Sequence, residues 1–147
     1  MNIAVSALEA PTKGSLEEWL NTPRLAQCGE FFTPAKPMWW PDRSANMSVN
    51  WQAAIACVPS AWQGWLQAAL AYRMGESAQG TIIGATAILS RAAQVGLNPL
   101  NEDHLIDLRE RLSMSAFSAL AGFMKFWQQC ESLEKRPSQV LIDAYDA

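Results

Sequence analysis

Across the second half of the chain, apolar residues return every three to four positions, the spacing of one helix face. After Pro59, Ser60 can cap a helix over "AWQGWLQAALAYR", with Trp62, Trp65, Leu66 and Ala69 on one side. "MGESAQG" breaks that pattern. A second helix follows in "TIIGATAILSRAAQVGLNPL", where Ile82, Ala85, Leu89, Ala92 and Gly96 keep the spacing and "GLNPL" supplies a C-terminal glycine and proline. Asn101 caps a third, "EDHLIDLRERL", with Glu102 and Asp103 near its positive end and Arg109 and Arg111 near its negative end. Ser115 begins a fourth, "AFSALAGFMKFWQQC", and Ser138 a fifth, "QVLIDAYDA". The fifth pattern is still running at Ala147, which predicts a longer parent chain. No segment reads as a convincing strand; "TIIGATAIL" is rich in β-branched residues, but its length and period favour helix. Gly84, Ala85, Ala87, Ala92 and Ala93 leave little side-chain bulk, so this helix reads first as one that a neighbour can approach closely.

Residues 1–59 have a different texture. "GSLEEWL" offers one short helix, with Ser15 as cap and Glu18 at the reciprocal capping-box position, and Pro23 interrupts it. "EFFTPAKPMWWPDRSA" then sets Pro34, Pro37 and Pro41 among Phe31, Phe32, Trp39 and Trp40. Proline fixes φ and removes a backbone donor, so the density argues against regular structure. The aromatics are expected to pin this segment onto its own domain, because left free they would form a sizeable exposed apolar patch. The expected fold is all-α: a small bundle of four to five crossing helices with an irregular Pro/aromatic-rich N-terminal extension.

The fourth helix carries the most information. Phe117, Leu120, Met124 and Trp127 mark one apolar face, and Phe123, Phe126 and Cys130 a second, so it should be central to the bundle. What remains is a narrow stripe of Ser115, Ser118, Gly122, Lys125 and Gln129 that contains no carboxylate. It is either a solvated seam or a surface that meets a phosphate backbone, with small residues permitting approach and Lys125 supplying charge.

Composition narrows the function. Half of the 147 residues are apolar and 17% charged, enough for a packed core. The net charge of −3 and a pI near 5.1 exclude nucleic-acid binding by bulk charge, though not a local basic stripe. Cys28, Cys57 and Cys130 form no CxxC pair, which suits reduced thiols in a cytoplasmic protein. The N-terminus lacks the basic start and apolar run of a signal peptide, and no apolar run approaches the roughly 20 residues of a membrane span.

Catalytic chemistry is scarce. His104 is the single histidine, which excludes HExxH and His-pair metal sites, and it has no nucleophile motif beside it. GxxxxGK[ST], GxGxxG and GxSxG are missing. Asp103 and Asp107 share a helix face with Arg109 and Arg111 close by, which reads as a solvated charged surface. The chain is expected to be non-catalytic, with no metal, no cofactor, no small-molecule ligand and no membrane partner.

From residue 58 to 147 the layout resembles the core-binding (SAM-like) domain of tyrosine recombinases, the phage-integrase family. The resemblance is carried by "VPSAWQGWLQAAL", by "SAQGTIIGATAILSRAAQVGLNPL", and by "NEDHLIDLRERL" leading into "SMSAFSALAGFMKFWQQCESLEKRP". It implies a bundle of about four crossing helices that clamps recombination-site DNA for a separate C-terminal catalytic domain. On that layout residues 1–59 are an extension, 60–133 the core-binding-like domain, and 134–147 the start of a linker toward the catalytic domain. The family's catalytic residues belong to that other domain and are absent here, and Tyr145, in the linker-like end, is no match for its nucleophile. The implied partner is double-stranded DNA, with possible self-association on it. The candidate DNA-binding residues are Arg73 and Arg91 at or near helix ends, and Ser118, Lys125 and Gln129 on the stripe. Residues 60–147 hold seven Lys/Arg against nine Asp/Glu, so the cations must be segregated onto one face. A competing expectation, favoured by the acidity and seven tryptophans, is a helical protein-interaction module such as an adaptor or chaperone.

Overall fold

The computed structural model describes residues 15–27, 29, 31–36, 38–40, 47–49, 51–76 and 79–147. Helices dominate them. In chain order they are α1 (Leu16–Leu20), α2 (Trp51–Ile55), α3 (Ser60–Glu76), α4 (Gln79–Gln94), a 3₁₀ turn (Glu102–His104), α5 (Leu105–Arg111), α6 (Met114–Gln129) and α7 (Gln139–Asp146). The expected all-α bundle is what forms. Short α2 packs along α4, α6 crosses α3 and α4, α7 lies on α6, and α1 lies on α3.

The expectation of no strands needs correction. β1 (Arg24–Leu25) pairs antiparallel with β2 (Phe31–Phe32), and β3 (Met38–Trp40) with β4 (Met47–Val49). Pro34 falls in a turn after β2, where no ladder donor is lost, and Pro37 and Pro41 lie outside the described residues. Main-chain and amide bonds tie the first hairpin region to the bundle. Gln27 N–H donates to Met74 O at 2.9 Å, Ala35 N–H donates to Leu20 O at 2.9 Å, and the buried Gln67 amide donates to Pro34 O. Phe32 is buried against the core while Phe31 is 56% exposed, so one of the two phenylalanines packs as expected. The side chains of Trp39 and Trp40 lie outside the described residues.

Local chemistry sets most of the helix ends. Gly96, at φ +72, closes α4: Leu97 N–H donates to Ala92 O and Gly96 N–H to Ala93 O, the paired bonds of a Schellman motif. Asn101 caps the 3₁₀ turn by accepting from Asp103 N–H, so the third predicted helix begins one tight turn late. Ser138 caps α7 by accepting from Leu141 N–H. Three caps differ from expectation, and Ser60 is the first residue of α3 instead of its cap. Ser113, with extended backbone, accepts from Ala116 N–H and starts α6, two residues before the expected Ser115. Ser15 has ψ near 5°, which turns its hydroxyl from the first-turn N–H groups, and the predicted capping box with Glu18 does not form.

Close helix approach also occurs in a different place. Ala92 is buried, but Ala87 is exposed and a Cβ on Gly84 would meet nothing within 4 Å. The glycine that permits contact is Gly64 of α3, where a Cβ would lie 2.9 Å from Leu16 Cδ2 of α1.

One core runs through the described residues. Trp65, Leu66, Leu70 and Met74 of α3, Ile82 and Leu89 of α4, and Leu120, Met124 and Trp127 of α6 are its buried centre. Trp62 is half-buried and meets Trp127 edge-on, ring centroids 5.9 Å apart. Trp19, Leu20, Phe32, Ala54, Ile55 and Val58 join the same cluster, so the described part of residues 1–59 shares the bundle's core. At the other end, α7 buries Leu141, Ile142 and Tyr145. The segment expected as the start of a linker thus carries a packed helix. No described helix is long and apolar enough to cross a membrane.

Truncating Leu120 or Trp127 to alanine is expected to cost about 2–5 kcal/mol through lost burial and the cavity left behind. Gly96→Ala should cost about 1 kcal/mol, because a Cβ is strained at positive φ even with open space around it. Urea denaturation midpoints of the three variants against wild type measure both effects.

Candidate nucleic-acid interface

Helix α6 presents its expected face. With Phe117, Leu120, Ala121, Phe123, Met124 and Trp127 turned into the core, the exposed residues are Met114, Ser115, Ser118, Ala119, Gly122 and Gln129. A Cβ on Gly122 would touch nothing within 4 Å, so internal packing does not demand a glycine there. The helix is held in place by Trp127, whose Nε1–H donates to Lys135 O at 3.1 Å, and by Arg136, whose Nη1 donates to Gln128 O at 2.7 Å.

The stripe free of carboxylates along α6 gains one in three dimensions. Lys125 Nζ lies 2.9 Å from Asp146 Oδ1 of α7, both side chains about half exposed. The sequence could not reveal this, because the two residues are distant in the chain and meet only through the packing of α7 on α6. An exposed pair of this kind contributes about 0–1 kcal/mol and yields readily to a competing anion.

The other predicted site residues do not gather on this face. Arg73 stacks its guanidinium 4.7 Å over Phe126, and with Gln129 it lines an open groove of about 900 Å³. Trp19, Arg24, Tyr72, Glu76 and Glu131 also line that groove. Arg24, buried, sits 3.8 Å over Trp19 and donates from Nη2 to Trp19 O at 3.0 Å; sequence reasoning missed it because a short hairpin delivers it. Arg91 is exposed at the end of α4 and donates from Nη2 to Arg111 O at 3.3 Å. Ser118 and Lys125 remain on the α6 face. The five candidates thus fall into three places.

Several reactive groups are fastened to the fold. His104 is half-buried and accepts through Nδ1 from Asn98 N–H at 2.9 Å, which places its own proton on Nε2. Tyr145 donates its hydroxyl to Pro99 O at 2.6 Å in a buried site, and burial, with Cys57 adding a smaller push, raises its pKa. Burial pushes the Cys57 thiol up to about 12. Cys130 is pushed up to about 11, mainly by burial and further by Glu76, against the weaker pull of Arg136 and Arg73. Both are free thiols, protonated at neutral pH and therefore poor nucleophiles. Among the described residues no three His, Cys, Asp or Glu side chains are grouped to hold a metal ion.

No family model matches the chain, and no curated protein or solved structure matches it.

The raised thiols set an alkaline limit. Below about pH 9, the ordinary value for a thiol, both are protonated in the folded and unfolded chain and add no pH dependence. Above it the unfolded thiols ionise while the folded ones stay protonated, so stability falls as pH rises. The Cys130 contribution should level off near pH 11, its folded value. Urea midpoints at half-unit steps from pH 8 to about 11 should decline, less steeply in Cys130→Ala.

Proposed function

We propose that this chain is a DNA-binding helical module that lays α6 against a duplex backbone, in the manner implied by its resemblance to recombinase core-binding domains. The observation that carries the reading is the exposed face of α6. Its small and hydroxyl side chains allow close approach, and Lys125 supplies a cation at its edge. Serine hydroxyls and a lysine suit phosphate oxygens and read no base sequence, so the module should position a duplex more than specify it. The acidity of the chain makes the contact weak, and with Lys125 as the cation of this face its salt dependence is shallow. Recognition of a particular sequence and any strand cleavage would belong to other parts of a longer protein.

The groove favours a second reading. Its aromatic walls and mixed charges at Arg73, Glu76 and Glu131 suit a protein segment better than a polyanion, as expected of an interaction module.

Three proteins separate the readings in a salt titration on duplex DNA. Lys125→Ala should weaken binding and flatten the log–log salt slope by roughly 0.9, the loss of one phosphate contact. Asp146→Asn should strengthen binding, because it releases Lys125 and removes a carboxylate from beside the DNA. If wild type and both variants share one affinity and slope, α6 is a solvated seam and the DNA reading of this face fails.

A further inference from the structure

A small pocket opens where α4 and α5 end. Arg91, Ala92 and Val95 of the α4 end form one wall, and Leu108, Arg111 and Leu112 of α5 and its C-cap form the other. Its volume is about 150 Å³, roughly five water molecules at about 30 Å³ each. That is room for a tetrahedral oxyanion with some of its water. Its rim carries two guanidiniums, and no carboxylate lines it among the described residues. Neither Arg91 nor Arg111 forms an ion pair with a described carboxylate.

We infer that this pocket is an oxyanion site of phosphate type, gripped by Arg91 and Arg111 together. Geometry and charge both favour it. Arg91 Nη2 donates one long bond to the Arg111 carbonyl, which draws the guanidinium toward the α5 end while its remaining N–H groups stay available. The Arg111 side chain is exposed on the same pocket. A planar fork of donors matches phosphate oxygens in pairs. The carbonyl ends of α4 and α5 oppose an anion by about half an elementary charge each. Two full guanidinium charges outweigh them. The apolar floor of Ala92, Leu108 and Leu112 gives the anion no competing acceptor and lowers the local dielectric.

Two sources share this chemistry: a phosphodiester of a nucleic-acid backbone and a free phosphate. The first rests on the DNA reading proposed above; the oxyanion site itself does not. The two arginines are expected to share one phosphate. Their losses in the DNA salt slope should therefore not add.

The experiment uses the full chain in two arms. In the first, wild type, Arg91→Gln, Arg111→Gln and the double variant are titrated with salt on duplex DNA. Each single substitution should lower affinity with little change of slope, because the other arginine still holds the phosphate, and the double variant should lose about 0.9. In the second, inorganic phosphate is added to ¹⁵N-labelled protein while the arginine Nε–H signals are followed. Phosphate should shift both Arg91 and Arg111 in wild type, and Arg111→Gln should abolish the Arg91 shift while Arg111→Lys retains part of it. Unchanged urea midpoints confirm that the variants fold. Phosphate shifts without duplex binding would support the oxyanion site and count against the DNA reading. Duplex binding that is identical in all four proteins, with no phosphate shift, would overturn the site and leave the DNA reading standing. A slope loss of about 0.9 in each single variant, and about twice that in the double, would overturn the shared grip.

Discussion

Helix α6 must turn its large apolar side chains into the bundle. Six of its sixteen residues are buried, and Met124 and Trp127 are fully so. Complete burial of side chains this size contributes about 1.5–3 kcal/mol each, so every neighbour must be arranged to cover them. α3 and α4 cross it on one side and α7 lies along another. Trp127 shows how strictly the arrangement is specified. Its ring meets Trp62 of α3 edge-on, and its indole N–H must find an acceptor inside, which the loop carbonyl of Lys135 provides. The loop after α6 is thereby folded back, and α7 is delivered to the bundle.

The same constraint conscripts the cations. Arg109 lies 4.8 Å over Phe117 and donates to the carbonyls of Ala144, Tyr145 and Ala147, closing the C-terminal end of α7. Lys135 sits 5.4 Å from the Trp62 ring, Arg136 holds Gln128, Arg73 covers Phe126 and Arg24 covers Trp19. In an acidic protein this leaves few positive charges for a partner. Lys125, Arg91 and Arg111 are the exposed ones in the helical region whose present contacts are weak: one surface ion pair and one long hydrogen bond to a carbonyl. The functional proposals therefore rest on these three residues rather than on overall charge.

Periodicity and capping chemistry made much of this legible. The five long patterns, the core positions on α3, α4 and α6, the Gly96 stop, and the Asn101 and Ser138 caps all follow from spacing and from side chains bonding their own backbone. These are local effects, acting within a turn or two. Apart from the caps at Ser15 and Ser113, the misses are non-local. α2 has five residues, well below the length at which a helix persists alone, and exists because Ala54 and Ile55 are buried against the bundle. The two strand pairs are as short, and the first is held to α1 and α3 by bonds from Gln27, Ala35 and Gln67.

The candidate site divides in the same way. Sequence alone determined most of the residues of α6 that face outward, since its apolar faces leave one polar stripe, and the exposed Met114 and Ala119 lie beyond that stripe. It also determined that no common catalytic motif is present. Tertiary structure decided what each charge touches. It placed Asp146 against Lys125, sent Arg73 onto an aromatic ring, and brought Arg91 and Arg111 to one pocket across twenty residues of chain. Helical period is a property of the backbone and survives in the sequence. Electrostatic neighbours depend on which helices cross, and only burial of the core settles that.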